Sequence, residues 1–183
     1  MDSQEQDIIR KFKSGDESGL RLLFDLYYSS LCVFAYKYFD SYEKAEDVVQ
    51  EAFITLWEKN RLINFTGSIK SYLFSIVRNN SINKIKEDRK YRFEEIENQS
   101  YAIIEDKFES ESLEKRREKL YREIEMLPEQ CKKVFEAIVF EKMKYADVAA
   151  ELNVSLNTVK THYSRALKQL RSSLDVLLLI MLP

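Results

Sequence analysis

Apolar residues recur through most of this chain at three- and four-residue spacing, the period of helices that bury one face. Residues 4–13 are predicted to form a short helix closed by Ser14 and Gly15. A long helix over about Asp16–Phe39 follows, with Asp16 as its cap and Leu20, Leu23, Phe24, Tyr27, Leu31, Phe34, Ala35 and Tyr38 on its core face. The next spans about Tyr42–Lys59. Asp40 and Glu43 stand at capping-box spacing before it, and Ala45, Val48, Val49, Ala52, Phe53, Leu56 and Trp57 form its stripe. After a loop at Leu62–Gly67, a helix from Ser68 to about Arg89 buries Ile69, Tyr72, Leu73 and Ile76, and its stripe runs on into Asn79, Asn80 and Asn83.

The periodicity fades over residues 93–112 and returns at Leu113. Leu113–Met126 reads as a helix with Leu120, Ile124 and Leu127 inward, stopped at Leu127-Pro128. Pro128 suits the first turn of a helix over about Glu129–Glu141, whose core is Val134, Phe135, Ile138 and Val139. Then come two helices in close succession. Tyr145–Leu152 carries Val148, Ala149 and Leu152; Asn153 tolerates the left-handed conformation wanted at its end. Ser155 can cap a second helix with Leu156, Val159, Tyr163, Ala166, Leu167 and Leu170 on one face. The small Ala149 permits close packing, and the layout is that of a helix-turn-helix. The expected fold is all-α: two small helical domains, residues 1–92 and 113–183, the second a helix-turn-helix.

Composition agrees with this and adds little else. The 183 residues include three Gly and two Pro, 45% of them are hydrophobic, and the net charge is −2. The distribution of charge is more informative. Residues 70–92 hold seven Lys/Arg against Glu87 and Asp88, residues 93–114 hold eight acids against Lys107, and residues 113–173 hold thirteen bases against nine acids. Two basic blocks therefore flank an acidic one, and residues 93–112 read as a flexible acidic linker.

Three constellations carry candidate chemistry. From Glu151 to Asp175 no acid intervenes, and Asn157, Thr158, Lys160, Thr161, Ser164, Arg165 and Lys168 lie off the apolar stripe of the last helix. Short polar and long basic side chains of this kind suit base edges and phosphates in a major groove. A solvated face of an ordinary bundle is the plainer alternative. Asn79, Asn80 and Asn83, with Lys84 and Lys86 nearby, extend a core face. Buried, such amides need hydrogen-bond partners; exposed among cations, they could meet the edges of unpaired bases. Asp47, Gln50, Glu51 and Ile54 lie opposite the stripe of their helix, with Ile54 among acids and an amide. A lone exposed Ile needs no explanation, yet it also suits the centre of a partner-binding face with an acidic rim.

Cys32 and Cys131 stand apart, with no second Cys or His near them in sequence, and read as core residues. His162 is the single histidine, so no metal site is expected, nor any cofactor. There is no nucleophile–base pair and no Gly-rich phosphate loop, which argues against an enzyme. The N-terminus lacks a signal-peptide core and nothing is long enough for stable membrane insertion, so a cytoplasmic protein is expected.

With these units in place the chain resembles the bacterial sigma factors of the extracytoplasmic-function (ECF) type. AEDVVQEAFITLWEK is similar to the family's polymerase-binding helix, GSIKSYLFSIVRNNSINKIKEDR to the helix that melts and reads the −10 element, and the stretch from Leu127 to Leu170 to the −35-reading domain. The resemblance implies that Asp47 and Gln50 meet core RNA polymerase, with Phe53 of the same motif structural. It implies that Asn79 lies beside a flipped −10 base, and that Lys160, Thr161, Ser164 and Arg165 face the −35 groove of promoter DNA. It also implies an acidic linker threading a polymerase channel and an inhibitory anti-sigma factor as a partner. Tyr72 stands where many members have Trp, and Asn153 where Gly is usual in the turn; both leave the promoter sequence open.

Two other readings share some of these features. A response-regulator transcription factor carries a similar helix-turn-helix but needs a receiver domain with strands. A helical scaffold would bind proteins and never DNA. The tail, Leu174–Pro183, is expected to extend the last helix and to pack Val176, Leu177 and Ile180 on its own domain. Its apolar run from Val176 to Leu182 exceeds what one helix face buries, so some of it is expected to stay exposed as a patch seeking a partner; the resemblance implies an anti-sigma factor there, with the other domain of the same chain as the alternative.

Overall fold

The computed structural model describes residues 3–59, 62, 67–92 and 113–181, and every regular element among them is helical. The chain divides into two compact units, residues 1–98 and 99–182. The expected acidic linker, residues 93–112, lies outside the described residues.

The first unit contains α1 (Ser3–Lys13), α2 (Ser18–Tyr36), α3 (Tyr42–Glu58) and α4 (Ile69–Arg92). α2 lies at its centre, against α1, α3 and α4, and α3 also packs on α4. Ile8 and Phe12 of α1, Leu23 and Leu31 of α2, Val48, Val49 and Leu56 of α3, and Leu73 and Val77 of α4 form the core. Gly19 lets α2 start close against α1: a Cβ there would stand 2.9 Å from Lys11 Cβ and 3.0 Å from the Phe12 ring. Phe12 in turn meets Trp57 of α3 edge-on at 5.2 Å. α1 also reaches α4, because the Ile69 amide donates to Glu5 Oε1 at 3.1 Å and so satisfies an N-terminal donor of that helix.

Two caps differ from expectation. α2 begins at Ser18, with Asp16 accepting from the Ser18 amide at 2.9 Å; that hydrogen bond holds the Asp16 carboxyl below its ordinary range. α3 is capped by Ser41 and not by Asp40. Ser41 is extended, its hydroxyl accepts from the Lys44 amide at 3.3 Å and donates to Glu43 at 2.6 Å, and only the residue just outside the helix can reach that amide. Phe24, expected in the core, is 40% exposed at the edge of the α2 stripe.

The second unit contains α5 (Leu113–Glu125), α6 (Glu129–Val139), α7 (Tyr145–Glu151), α8 (Leu156–Gln169), a 3₁₀ turn at Arg171–Ser173 and α9 (Leu174–Met181). α6, α7 and α8 pack on one another, and α9 lies on α5 and on the 3₁₀ turn. Leu120, Ile124, Val134, Phe135, Val148, Val159, Tyr163 and Leu167 are buried. α6 stops earlier than expected, at Val139, and Lys142 in the following turn is left-handed at φ 56°.

The tail packs Val176 and Leu177 on its own unit as expected, but by another route. It does not extend α8: the 3₁₀ turn intervenes, and Ser172 and Ser173 donate to the Glu123 carboxylate of α5 at 3.2 and 2.6 Å. Leu174, Val176, Leu177 and Leu178 are all buried, and Ile180 and Met181 are half-buried. Apart from Asp175 this short helix is apolar, and none of its residues whose burial is described is exposed, so the expected exposed patch is not found among them. No described helix is long and apolar enough to cross a membrane.

Candidate nucleic-acid interface and docking face

α7 and α8 form the helix-turn-helix by the local signals of their sequence. Asn153 sits at φ 52°, in the left-handed region that ends α7. Ser155 is extended, and its hydroxyl accepts from the Thr158 amide at 3.1 Å. Val159, Tyr163, Ala166 and Leu167 turn one side of α8 into the core. On the remainder, Asn157, Thr161, Arg165 and Lys168 are exposed, and Thr158, Lys160 and Ser164 are half-buried. Two hydroxyls also serve the helix. Thr158 Oγ1 shares a 2.8 Å hydrogen bond with Ser155, and Thr161 Oγ1 donates to the Asn157 carbonyl at 2.9 Å. Leu156, expected on the core face, is 48% exposed, because it precedes the first full turn of the stripe.

The fold also makes a contact that linear distance hides. Cys131 of α6, read as solitary, has its Sγ 3.5 Å from His162 Nδ1 of α8. Burial pushes the Cys131 thiol up, and the nearby positive charge of Arg165 opposes that in part. A thiol so placed is a packing residue that helps seat α8 on α6. Among the described residues no cluster of three or more potential ligands could hold a metal ion.

On α4 the amides are not an extension of the core. The buried line runs Leu73, Val77, Ser81, a strict four-residue step, and Ser81 satisfies its hydroxyl on the Val77 carbonyl at 2.8 Å. Asn79, Asn83, Lys84 and Lys86 are consequently exposed, and Asn80 is half-buried. The alternative of a hydrogen-bonded amide core is thereby excluded for Asn79 and Asn83. An ion pair of 2.7 Å between Lys44 and Asp88 joins the start of α3 to the far part of α4.

α3 exposes Asp47, Gln50 and Glu51, and Ile54 among them is 56% exposed. Glu46, which sequence reasoning passed over, is buried at 4% exposure. The signal was present: Tyr42, Glu46, Val49 and Phe53 follow one another at four-, three- and four-residue steps, and all four are buried. Tyr28 of α2 donates its hydroxyl to Glu46 at 3.2 Å and accepts from the Gln50 amide at 3.3 Å.

Comparison with known proteins places both units. Residues 23–91 match the family Sigma-70 region 2, and residues 117–170 match Sigma-70, region 4. The chain is 26% identical over 163 residues to the ECF RNA polymerase sigma factor RpoE of Cereibacter sphaeroides, covering 87% of this chain and 88% of that one. It is 27% identical over 157 residues to the RNA polymerase sigma factor YlaC of Bacillus subtilis, covering 83% and 90%. Among solved structures, CnrH in complex with the cytosolic domain of CnrY is matched at 19% identity over 96% of this chain and 97% of that one, with a TM-score of 0.41. The region 2 match occupies the part of the chain where a receiver domain would have to lie, so the response-regulator reading fails, as does a scaffold without DNA. The chain belongs to the ECF-type RNA polymerase sigma factors, with sigma-70 regions 2 and 4: a non-enzymatic factor that binds core polymerase and promoter DNA and directs promoter-specific initiation.

Proposed function

We propose that three faces of this sigma factor divide the work of initiation, with residues 1–92 acting as region 2, residues 93–112 as an acidic tether and residues 113–183 as region 4. Asp47, Gln50, Glu51 and Ile54 dock on core polymerase. Asn79, Asn80, Asn83, Lys84 and Lys86 receive the melted −10 strand, amides on base edges and ammonium groups on phosphates. Asn157, Thr158, Lys160, Thr161, Ser164, Arg165 and Lys168 enter the −35 major groove. The factor works in the cytoplasm beside the polymerase, and an anti-sigma factor covering its polymerase-binding face is the expected inhibitor.

The single observation carrying the reading is the division of α8. One side is sealed in the core by Val159, Tyr163, Ala166 and Leu167, while Asn157, Thr161, Arg165 and Lys168 stay exposed on a helix without an acid. A solvated face of an ordinary bundle mixes charges of both signs, whereas this one carries cations alone.

Two substitutions test the two DNA faces separately. Arg165→Ala should cost about 1–3 kcal/mol of holoenzyme affinity for the preferred −35 sequence and flatten discrimination between −35 variants. A uniform loss over all sequences would make Arg165 a phosphate contact instead. Asn79→Ala should leave the thermal melt unchanged, because the side chain is exposed. It should leave closed-complex formation intact and reduce permanganate reactivity of the −10 thymines. Undiminished reactivity would remove Asn79 from the −10 face.

A further inference from the structure

The docking helix carries a buried carboxylate for which the docking reading has no use. Glu46 lies one turn before Gln50 on α3, and Tyr28 of α2 bridges the two, donating to Glu46 and accepting from Gln50. Phe24 stacks on the Tyr28 ring with centroids 4.1 Å apart, and both rings approach Phe53, at 5.4 and 6.5 Å. The phenol is thus held by aromatic packing on its face and by hydrogen bonds at its tip. Burial, helped by the nearby Cys32 and Glu46, pushes that phenol well above its ordinary range, so it keeps its proton.

The direction of the hydrogen bonds follows from donor and acceptor chemistry. A carboxylate only accepts, and a phenol has one proton. The Tyr28 proton is given to Glu46, so Gln50 must present an N–H to the Tyr28 oxygen. The amide oxygen of Gln50 is left out of the chain of bonds, available to another donor. Successive bonds in a partly buried site strengthen one another.

We propose that Glu46 and Tyr28 are positioning residues for polymerase docking: through Gln50 they hold an amide oxygen in place as a preset acceptor beside Asp47 and Ile54. An exposed glutamine otherwise loses its rotamer freedom on binding, at a cost to affinity. The proposal rests on the docking face described under Proposed function.

The test is a double-mutant cycle of Tyr28→Phe and Gln50→Ala, read as the affinity of the full chain for core polymerase. Thermal melts of each variant accompany it. Tyr28→Phe should weaken binding roughly 3- to 10-fold, while the transcription rate at saturating sigma factor stays unchanged. In the Gln50→Ala background the same substitution should add less than about 2-fold, because its intermediary is already gone. Independent losses that multiply would overturn the proposal. If Tyr28→Phe does not hold the fold, Glu46→Leu takes its place. It removes the acceptor of the phenol proton, so the same coupling to Gln50 is expected. Ile54→Asp in the same assay separates the two readings. Undiminished binding by that variant would remove the docking face and this proposal with it. Lost binding with an additive cycle would remove only the relay.

Discussion

A chain truncated after Ser173 should lose its C-terminal unit. The deletion removes Leu174, Val176, Leu177 and Leu178, all buried, from the helix that covers α5. Burial of one such side chain contributes about 1.5–3 kcal/mol, so the four together stand for roughly 6–12 kcal/mol. That is comparable to the whole stability of a small domain, about 5–15 kcal/mol. It also exposes the apolar side of α5 that Leu120 and Ile124 belong to. We expect two melting transitions in the full chain to become one, with loss of the helical signal of region 4 and of transcription from −35-dependent promoters. The first unit should melt as before. A truncated chain of unchanged stability and raised basal transcription would instead restore the tail as a regulatory contact.

Ile54→Asp should have the opposite profile, a functional loss without a structural one. Ile54 is exposed on α3, so a carboxylate there stays in water in the free protein and the melt should move little. In the complex, the same carboxylate would lie at the centre of the docking face, stripped of water and beside Asp47 and Glu51. An apolar centre with a polar rim is where single substitutions cost 2 kcal/mol or more. Affinity for core polymerase should therefore fall by roughly 30- to 300-fold. Asp47→Lys should also weaken association, but less, because an exposed rim charge contributes little by itself. Equal losses for the two would place the energetic centre at the acids and not at Ile54. Surface plasmon resonance with immobilised core polymerase reads both, and circular dichroism of the free variants completes the test.

The helices and the helix-turn-helix were legible because their determinants are local. Ser155 accepts from an amide three residues on, and Asn153 needs only its own left-handed conformation to end α7. The stripe of α8 is a matter of three- and four-residue steps, so the side on which Asn157, Thr161, Arg165 and Lys168 are exposed could be named from the chain alone. The same holds for α3, where Asp47, Gln50, Glu51 and Ile54 fall opposite a regular apolar stripe and are exposed. Where a stripe breaks down, local reading loses its footing. On α4 the amides at 79, 80 and 83 continue one row of the helix and Val77 and Ser81 another. Only packing against α2 and α3 selects the second row for burial.

What the sequence determined by itself was which segments become helices, which turn is tight, where the basic and acidic blocks lie, and the family these patterns resemble. These depend on dihedral preference, capping and periodicity, which act within a few residues. What only the tertiary structure decided was the company each side chain keeps. Glu46 is buried beside Tyr28, eighteen residues away, and Cys131 meets His162, thirty-one residues away. Leu174, Val176, Leu177 and Leu178 of the tail are buried, because α5, far earlier in the chain, returns to lie against it. Contacts of this kind arise when helices pack, and no spacing along one helix encodes which residue of another will face it.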